Sequence, residues 1–240
     1  MTLHANLVDI KNRKIYPAFL SVEDGKIINI LKTDKPCSTY VLPGFIDAHI
    51  HIESSMLTPY EFSRLTLKHG TIATVSDPHE IANVLGLEGI EFMIKSASKT
   101  PFKFYFGAPS CVPATSFETS GATLDKESIQ KLLEQKNIYY LSEMMNFPGV
   151  LFKDEEVLSK IASAKKQNKP IDGHSPDLKG ADLESYIQTG ISTDHEAISY
   201  EEAKEKLQKG MKILIREGSA AKNYEALSSI ISEFPNSLMF

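Results

Sequence analysis

Short apolar runs alternate with amphipathic stretches over most of the chain. Between the runs, apolar residues recur at helical spacing, as Val157, Ile161 and Ala164 do on one face. The runs lie at 45–48, 71–75, 102–106, 138–141, 170–172, 190–193, 211–215 and 237–240. Seven strand–helix units and the start of an eighth strand predict a (β/α)8 barrel of the TIM type that stops within strand eight.

The predicted helices have typical end residues. Ser199 followed by Glu202 is a capping-box pattern, and Gly190 and Gly210 stand where C′ glycines belong. An open, doubly wound sheet is the alternative architecture. No GxGxxG motif follows the first strand, however, so the barrel is the better interpretation.

The N-terminal region has a different pattern. Residues 5–32 are rich in β-branched and aromatic positions and contain a turn at residues 23–25, which predicts short strands. We therefore expect two parts: a partial β-domain at residues 1–42, and a barrel at residues 43–240 that is incomplete at its C-terminus.

Charge and composition narrow the classes of function. The net charge is −5 and both signs are mixed along the chain, without the basic stripe that nucleic acid requires. Apolar runs such as residues 212–215 are too short to cross a bilayer, so we expect no membrane partner. The N-terminus lacks the apolar segment of a secretory signal. Cys37 and Cys111 form no CxxC pair and favour a reducing cytosol. The sequence predicts a cytoplasmic protein with a small-molecule substrate.

Polar residues gather at the predicted strand ends, where barrels of this kind carry their catalytic groups. Five of the seven histidines lie there, and only His4 and His69 do not. His49 and His51 share one face of their strand because side chains alternate. The polar residues at strand ends are Asp47, His49, His51, Asp77, His79, Glu80, Glu143, Asp172, His174, Asp194, His195, Glu196, Arg216, Glu217 and Ser219.

Several imidazoles around a carboxylate, without thiolates, suit zinc, iron or manganese. A single histidine at a strand end is more often structural, and HxH arises easily by chance. Four strands that supply such residues together favour a metal site, in which two ions could share the carboxylate and activate a water. Asp172 and Asp194 are either turn residues or partners that orient neighbouring imidazoles, and the role of Glu196 is open.

Several strings resemble a known family. PGFIDAHIHIESS, at residues 43–55, resembles the motif of the metal-dependent amidohydrolase superfamily. Other strings are closer to the adenine deaminases within it, and the first two of these are the most specific. They are DPHEIANVLG (77–86), EMMNFPGV (143–150), DGHSP (172–176), ISTDHE (191–196) and IREGSAA (215–221). The resemblance extends over nearly the whole chain.

This resemblance implies hydrolytic deamination of adenine to hypoxanthine and ammonia by a binuclear centre of manganese or iron, with zinc as the alternative. His49 and His51 would bind the more buried ion, and His174 and His195 the second. Glu143 would bridge both, where many superfamily members use a carbamylated lysine.

The resemblance also implies a set of substrate contacts. His79 and Glu80 lie where a substrate or proton-transfer contact is expected, and Arg216, Glu217 and Ser219 would line the purine pocket. A homodimer is the expected assembly.

The relatives carry two features beyond Phe240: a catalytic aspartate at the end of strand eight, and a C-terminal part that completes the small β-domain. We therefore expect little or no turnover by the 240-residue chain alone, and an unpaired edge between strands one and seven. The alternatives are a cyclic amide hydrolase, against which Glu143 argues because those enzymes usually use the lysine, and a metal-binding fragment without catalysis.

Overall fold

The computed structural model describes residues 1–115, 117–219 and 221–240. Ala220, within the IREGSAA string, lies outside the described residues. The chain consists of two compact units, Met1–Gly44 and Phe45–Phe240.

The first unit is a four-stranded sheet in the order β3-β2-β1-β4. Its strands are β1 (Thr2–Asp9), β2 (Lys14–Glu23), β3 (Lys26–Lys32) and β4 (Tyr40–Val41). The first three are antiparallel neighbours, and β4 is parallel to β1. Asp24 and Gly25 both have positive φ, as the tight hairpin turn between β2 and β3 requires. The sequence predicted this hairpin but not β4, which is only two residues long.

The described residues of the second unit form eight parallel strands in two sheets, β5-β6-β7-β8-β9 and β10-β11-β12. The strands are β5 (Phe45–Ile50), β6 (Thr71–Ser76), β7 (Lys103–Ala108), β8 (Ile138–Met144), β9 (Ile171–Gly173), β10 (Thr193–Asp194), β11 (Lys212–Leu214) and β12 (Leu238–Met239). Each begins within three residues of its predicted run.

Hydrogen bonds join the two sheets at both edges. Ser192 N donates to Ile171 O at 3.2 Å, beside β9 and β10, and Ala48 N donates to Phe240 O at 3.0 Å, beside β5 and β12. The strands thus follow one another in a ring, as in a (β/α)8 barrel. The expected unpaired edge between the first and seventh strands was wrong, because β12 pairs with β11 and its end bonds to β5.

Helices follow most of these strands, and side chains cap the N-termini of several of them. Thr58, Asp125, Asp154 and Ser199 each accept a hydrogen bond from a backbone N–H three residues later. The helices are α1 (Pro59–Thr66), α2 (His79–Ala97), α3 (Lys126–Leu133), α4 (Phe147–Leu151), α5 (Glu155–Lys166), α6 (Gly180–Gln188), α7 (Tyr200–Gln208) and α8 (Tyr224–Leu227). None of the described helices is long and apolar enough to cross a lipid bilayer.

Strand β8 lies in the middle of the core. All of its residues except Tyr139 are buried, as is typical of a parallel strand covered on both faces. Ile138 and Leu141 contribute to the main apolar cluster, together with Ile129, Leu133 and Ile161 of the covering helices. This packing fixes the carboxyl end of β8, where Glu143 stands, at the centre of the second unit.

Candidate metal centre

The buried carboxylate of Glu143 contacts four imidazoles. Its Oε1 atom lies 3.1 Å from His51 Nε2 and 3.3 Å from His79 Nδ1. Its Oε2 atom lies 2.8 Å from His174 Nδ1 and 2.9 Å from His195 Nε2. The four histidines follow β5, β6, β9 and β10, so each arrives from a different strand. One carboxylate therefore joins two pairs of imidazoles.

His49 belongs to a neighbouring group. Its Nδ1 atom lies 3.6 Å from Asp172 Oδ2, and its ring stacks on that of His195 with 3.8 Å between centroids. The structure thus places all five predicted metal ligands in one cluster, but His51 meets Glu143 together with His79, while His49 faces Asp172 and His195.

Hydrogen bonds to the backbone orient several of these groups. His51 Nδ1 lies 3.0 Å from Asp77 O, and Asp77 Oδ2 lies 3.0 Å from His79 Nδ1. The Tyr186 hydroxyl accepts from His174 N at 3.0 Å and donates to Met144 O at 3.1 Å. The ends of β8 and β9 are thereby tied together directly beside Glu143.

The cluster strongly perturbs its own protonation. Burial disfavours the imidazolium of His51, but the carboxylates of Glu143 and Asp77 outweigh burial and raise its pKa to about 9. The same groups overcome burial at His79 and raise its pKa to about 11. Burial alone would raise the pKa of Glu143, but the four imidazoles hold it well below its usual range. The site thus attracts positive charge to its centre.

The donor set fits divalent cations. Three groups of imidazole and carboxylate atoms lie close enough to share an ion, and Glu143 belongs to two of them. Among the described residues, Asp77 Oδ1 and His195 Nδ1 are buried without a hydrogen-bond partner, and Glu143 Oε1 has two ring nitrogens nearby but no aligned hydrogen bond. Buried polar atoms without a partner in such a cluster are suited to a cation, which would replace the protons held by the histidines.

A cavity of about 730 Å³ opens beside His49 and His51. The loop after β11 forms its other side through Arg216, Glu217 and Ser219, the residues predicted to line a substrate pocket. The cavity therefore connects the predicted metal ligands with the predicted substrate residues.

The side chains of His79 and Glu80, although adjacent in sequence, have different partners. His79 joins the Glu143 cluster, whereas the carboxylate of Glu80 accepts a hydrogen bond from Ser54 Oγ at 2.9 Å. Glu80 also belongs to none of the groups of described residues that could hold a metal.

Three carboxylates gain contacts that the sequence had not assigned. Asp77 contacts His79, and Asp172 faces His49. Asp194 accepts from the backbone N–H group of Ser175 and, as a turn residue does, from those of Glu196 and Ala197 in its own loop. All three stand at strand ends, one or two residues before a histidine. That spacing is the feature of the sequence from which a role in the histidine cluster could have been predicted.

The chain is similar in sequence to proteins named adenine deaminase. It is 63% identical over 240 residues to the one from Sulfurovum sp. (strain NBC37-1), covering 100% of this chain and 45% of the relative. It is 57% identical over 244 residues to the one from Borreliella afzelii (strain PKo), covering 99% and 44%. The chain thus spans less than half the length of these curated relatives.

Solved structures show the same fold. The N-acetyl-D-glucosamine-6-phosphate deacetylase from Mycobacterium smegmatis matches with a TM-score of 0.67 and 14% identity, over 99% of this chain and 69% of that one. The model of the amidohydrolase family matches residues 40–227, most of the chain. The chain therefore belongs to the amidohydrolase family.

Proposed function

We propose that this protein hydrolyses adenine to hypoxanthine and ammonia at a centre of two divalent metal ions. The observation that carries the proposal is the buried carboxylate of Glu143, each oxygen of which meets a separate pair of imidazoles. The substrate is inferred from the similar proteins named adenine deaminase.

In this proposal Glu143 would help to hold both ions, and His174 and His195, which contact its Oε2 atom, would hold one of them. His49 and His51 would hold the other. His51 already reaches Oε1, and His49 lies in the same cluster through its contact with His195. Two ions held in this way would supply a water of lowered pKa for attack on C6 of the purine.

Residues of this chain would handle the proton and the substrate. His79 lies between the carboxylates of Asp77 and Glu143, at 3.0 and 3.3 Å, and can hold a proton close to the reacting atoms. Arg216, Glu217 and Ser219 would position the ring in the cavity, which is large enough to admit a purine. Glu80, 2.9 Å from Ser54 Oγ, would act on the substrate from the rim through that hydroxyl.

The finer assignments belong to the same proposal. Manganese or iron is the expected metal, zinc being compatible with the ligands. The protein would act in the cytosol in purine salvage and adenine catabolism, without a nucleic-acid partner, as a homodimer. The free thiols of Cys37 and Cys111 and the net charge of −5 are consistent with this setting.

The test is an assay of the manganese-loaded protein, made from its complete reading frame, with adenine, hydantoin and dihydroorotate. We expect turnover of adenine, with release of ammonia, and no turnover of hydantoin or dihydroorotate. Turnover of a cyclic amide without turnover of adenine would replace the substrate but keep the metal centre. Two bound ions without turnover of any of the three would leave only a metal-binding role.

A further inference from the structure

A buried lysine lies behind one half of the histidine cluster. Lys206, on α7, has 0% of its surface exposed. Its ammonium donates to Ser175 O at 2.7 Å, to Asp194 Oδ2 at 2.8 Å and to Glu202 Oε1 at 2.7 Å. All three of its protons are therefore used, and two carboxylates balance its charge.

The carboxylates around Lys206 also hold backbone. Asp194 Oδ1 accepts from Ser175 N at 2.8 Å, and Glu202 Oε1 accepts from Asp177 N at 2.9 Å. Glu202 Oε2 accepts from Ile198 N at 3.4 Å. The loop after β9 and the loop after β10 are thus fastened to one cation.

These two loops carry the histidines that meet Oε2 of Glu143. Ser175 directly follows His174, and Asp194 directly precedes His195. The two ring nitrogens lie 3.3 Å apart, on the same carboxylate oxygen. Among the contacts of the described residues, none links Lys206, Asp194 or Glu202 directly to His49 or His51, which would hold the other ion, or to His79.

We infer that Lys206 is a positioning residue that sets the spacing of His174 and His195 for one of the two metal ions. This inference rests on the proposed metal centre, but not on adenine as its substrate. Groups that hydrogen-bond metal ligands directly typically change metal affinity by about 10–100-fold when removed, and Lys206, which reaches the two histidines through Ser175 and Asp194, should act at the lower end of that range. Because the network reaches only one pair of imidazoles, its loss weakens one ion and spares the other.

The test is a titration of the metal-free protein with Mn²⁺ against a competing chelator, which gives two stepwise affinities. Lys206→Met removes the ammonium and keeps the length of the side chain. The expected result is one unchanged affinity and one weakened about 10-fold, at the lower end of that range. Equal loss of both affinities would assign Lys206 a general structural role, and no change would exclude any role.

Lys169→Met is the matched control. Lys169 also makes three hydrogen bonds, to the backbone oxygens of Leu133, Gln135 and Ile138, but it does so at the opposite ends of the strands. Both affinities should match those of the unmodified protein. If Lys169→Met weakened one ion in the same way, loosening of the barrel would explain the effect and the inference would fail.

A second pair of variants identifies which of the two metal ions is affected. His51→Asn should leave one ion, held beside His174 and His195, and addition of Lys206→Met should weaken that remaining ion. Retention of its full affinity would overturn the inference. If Lys206→Met does not fold, Glu202→Gln is combined with His51→Asn instead. This variant keeps the Lys206–Asp194 pair, and it should weaken binding of the same ion to a smaller extent.

The experiments distinguish an error in the proposed substrate from an error in the proposed role of Lys206. A protein that binds two ions but does not deaminate adenine leaves the role of Lys206 intact. A protein that binds fewer than two ions contradicts both.

Discussion

Arg216 and Glu196 form an ion pair beside the histidine cluster, with 2.7 Å between Nη1 and Oε1. The same glutamate oxygen lies 3.5 Å from His195 Nε2. The pair thus connects the loop after β11, which lines the cavity, with the groups around Glu143. Because Glu196 holds one end of the guanidinium, it fixes the direction in which Arg216 faces the cavity.

Replacement of Arg216 should weaken substrate binding. Arg216→Lys keeps the charge but loses the planar fork of donors, and the loss of one charged hydrogen bond, about 1.5–3 kcal/mol, lowers kcat/KM for adenine by about 10–100-fold. Steady-state kinetics on the manganese-loaded protein measure this effect. Lys212→Arg, at the exposed start of β11, is the control.

The double variant tests the ion pair itself. Arg216→Lys combined with Glu196→Gln should lose less than the sum of the two single losses, because both weaken the same ion pair. Fully additive losses would mean that Glu196 does not orient Arg216.

Glu143→Gln should remove the centre as a whole. The amide has the same shape but carries no charge, and one of its two ends can no longer accept a hydrogen bond or bind a cation. We expect affinity for both ions to fall by at least about 100-fold, since a direct ligand matters more than the partners behind it. Elemental analysis after dialysis against manganese measures the bound metal. Glu134→Gln, on the exposed end of α3, should keep both ions, and a Glu143→Gln protein that keeps both would contradict the shared carboxylate.

The strand-end rule predicted which residues meet, but not which atoms meet. Alternation was expected to place His49 and His51 on one face of their strand, and the family resemblance implied that they bind one ion together. Alternation fixes the Cβ positions and leaves the rings free to turn, and the two rings face different carboxylates. The partner of an imidazole depends on neighbours from distant strands, which a local pattern does not contain.

Lys206 was invisible in the sequence for a different reason. In the segment EEAKEKLQK it stands four residues after Glu202, a spacing typical of an ion pair on a solvated helix face. Glu202 was interpreted as part of a capping box. Ser199 Oγ does cap the helix, but the Glu202 side chain turns to Lys206 and to the loop after β9. Their burial comes from the packing of α7, which the polar sequence of this helix does not reveal.

The metal-free protein should lose stability as the pH rises. The pKa of His51, raised to about 9 from 6.5, means that the folded state holds this proton more tightly than the unfolded state. The stabilisation is fully present below pH 6.5 and is lost as the pH rises through about 9. Urea denaturation with a chelator present, compared between the unmodified protein and His51→Asn, measures it.

The difference in unfolding free energy between these two proteins should shrink across that pH range. His69→Asn, at an exposed position, is the control and should show no such trend. Manganese affinity should rise over the same range, because the ion competes with the protons. A stability difference that grew with pH would contradict the raised pKa.

Gly173→Ala should destabilise the barrel and disturb the site at once. Gly173 ends β9, directly before His174, and a Cβ there would lie 2.2 Å from Thr193 O and 2.7 Å from Ile191 Cγ2. The Thr193 carbonyl belongs to the backbone of β10, at the junction of the two sheets. Because no side-chain movement can relieve this contact, the backbone itself must shift to admit the Cβ. Overpacking of this kind costs about 1–3 kcal/mol or more.

Urea denaturation of the metal-free protein measures that loss, and a manganese titration measures the displacement of His174. Gly218→Ala is the matched control, because its Cβ would meet nothing nearer than Ala221 O at 3.8 Å. The control should unfold at the same urea concentration as the unmodified protein. If Gly173→Ala were as stable as the unmodified protein, β9 and β10 could not lie as close together as described. The junction between them would then not fix the position of His174.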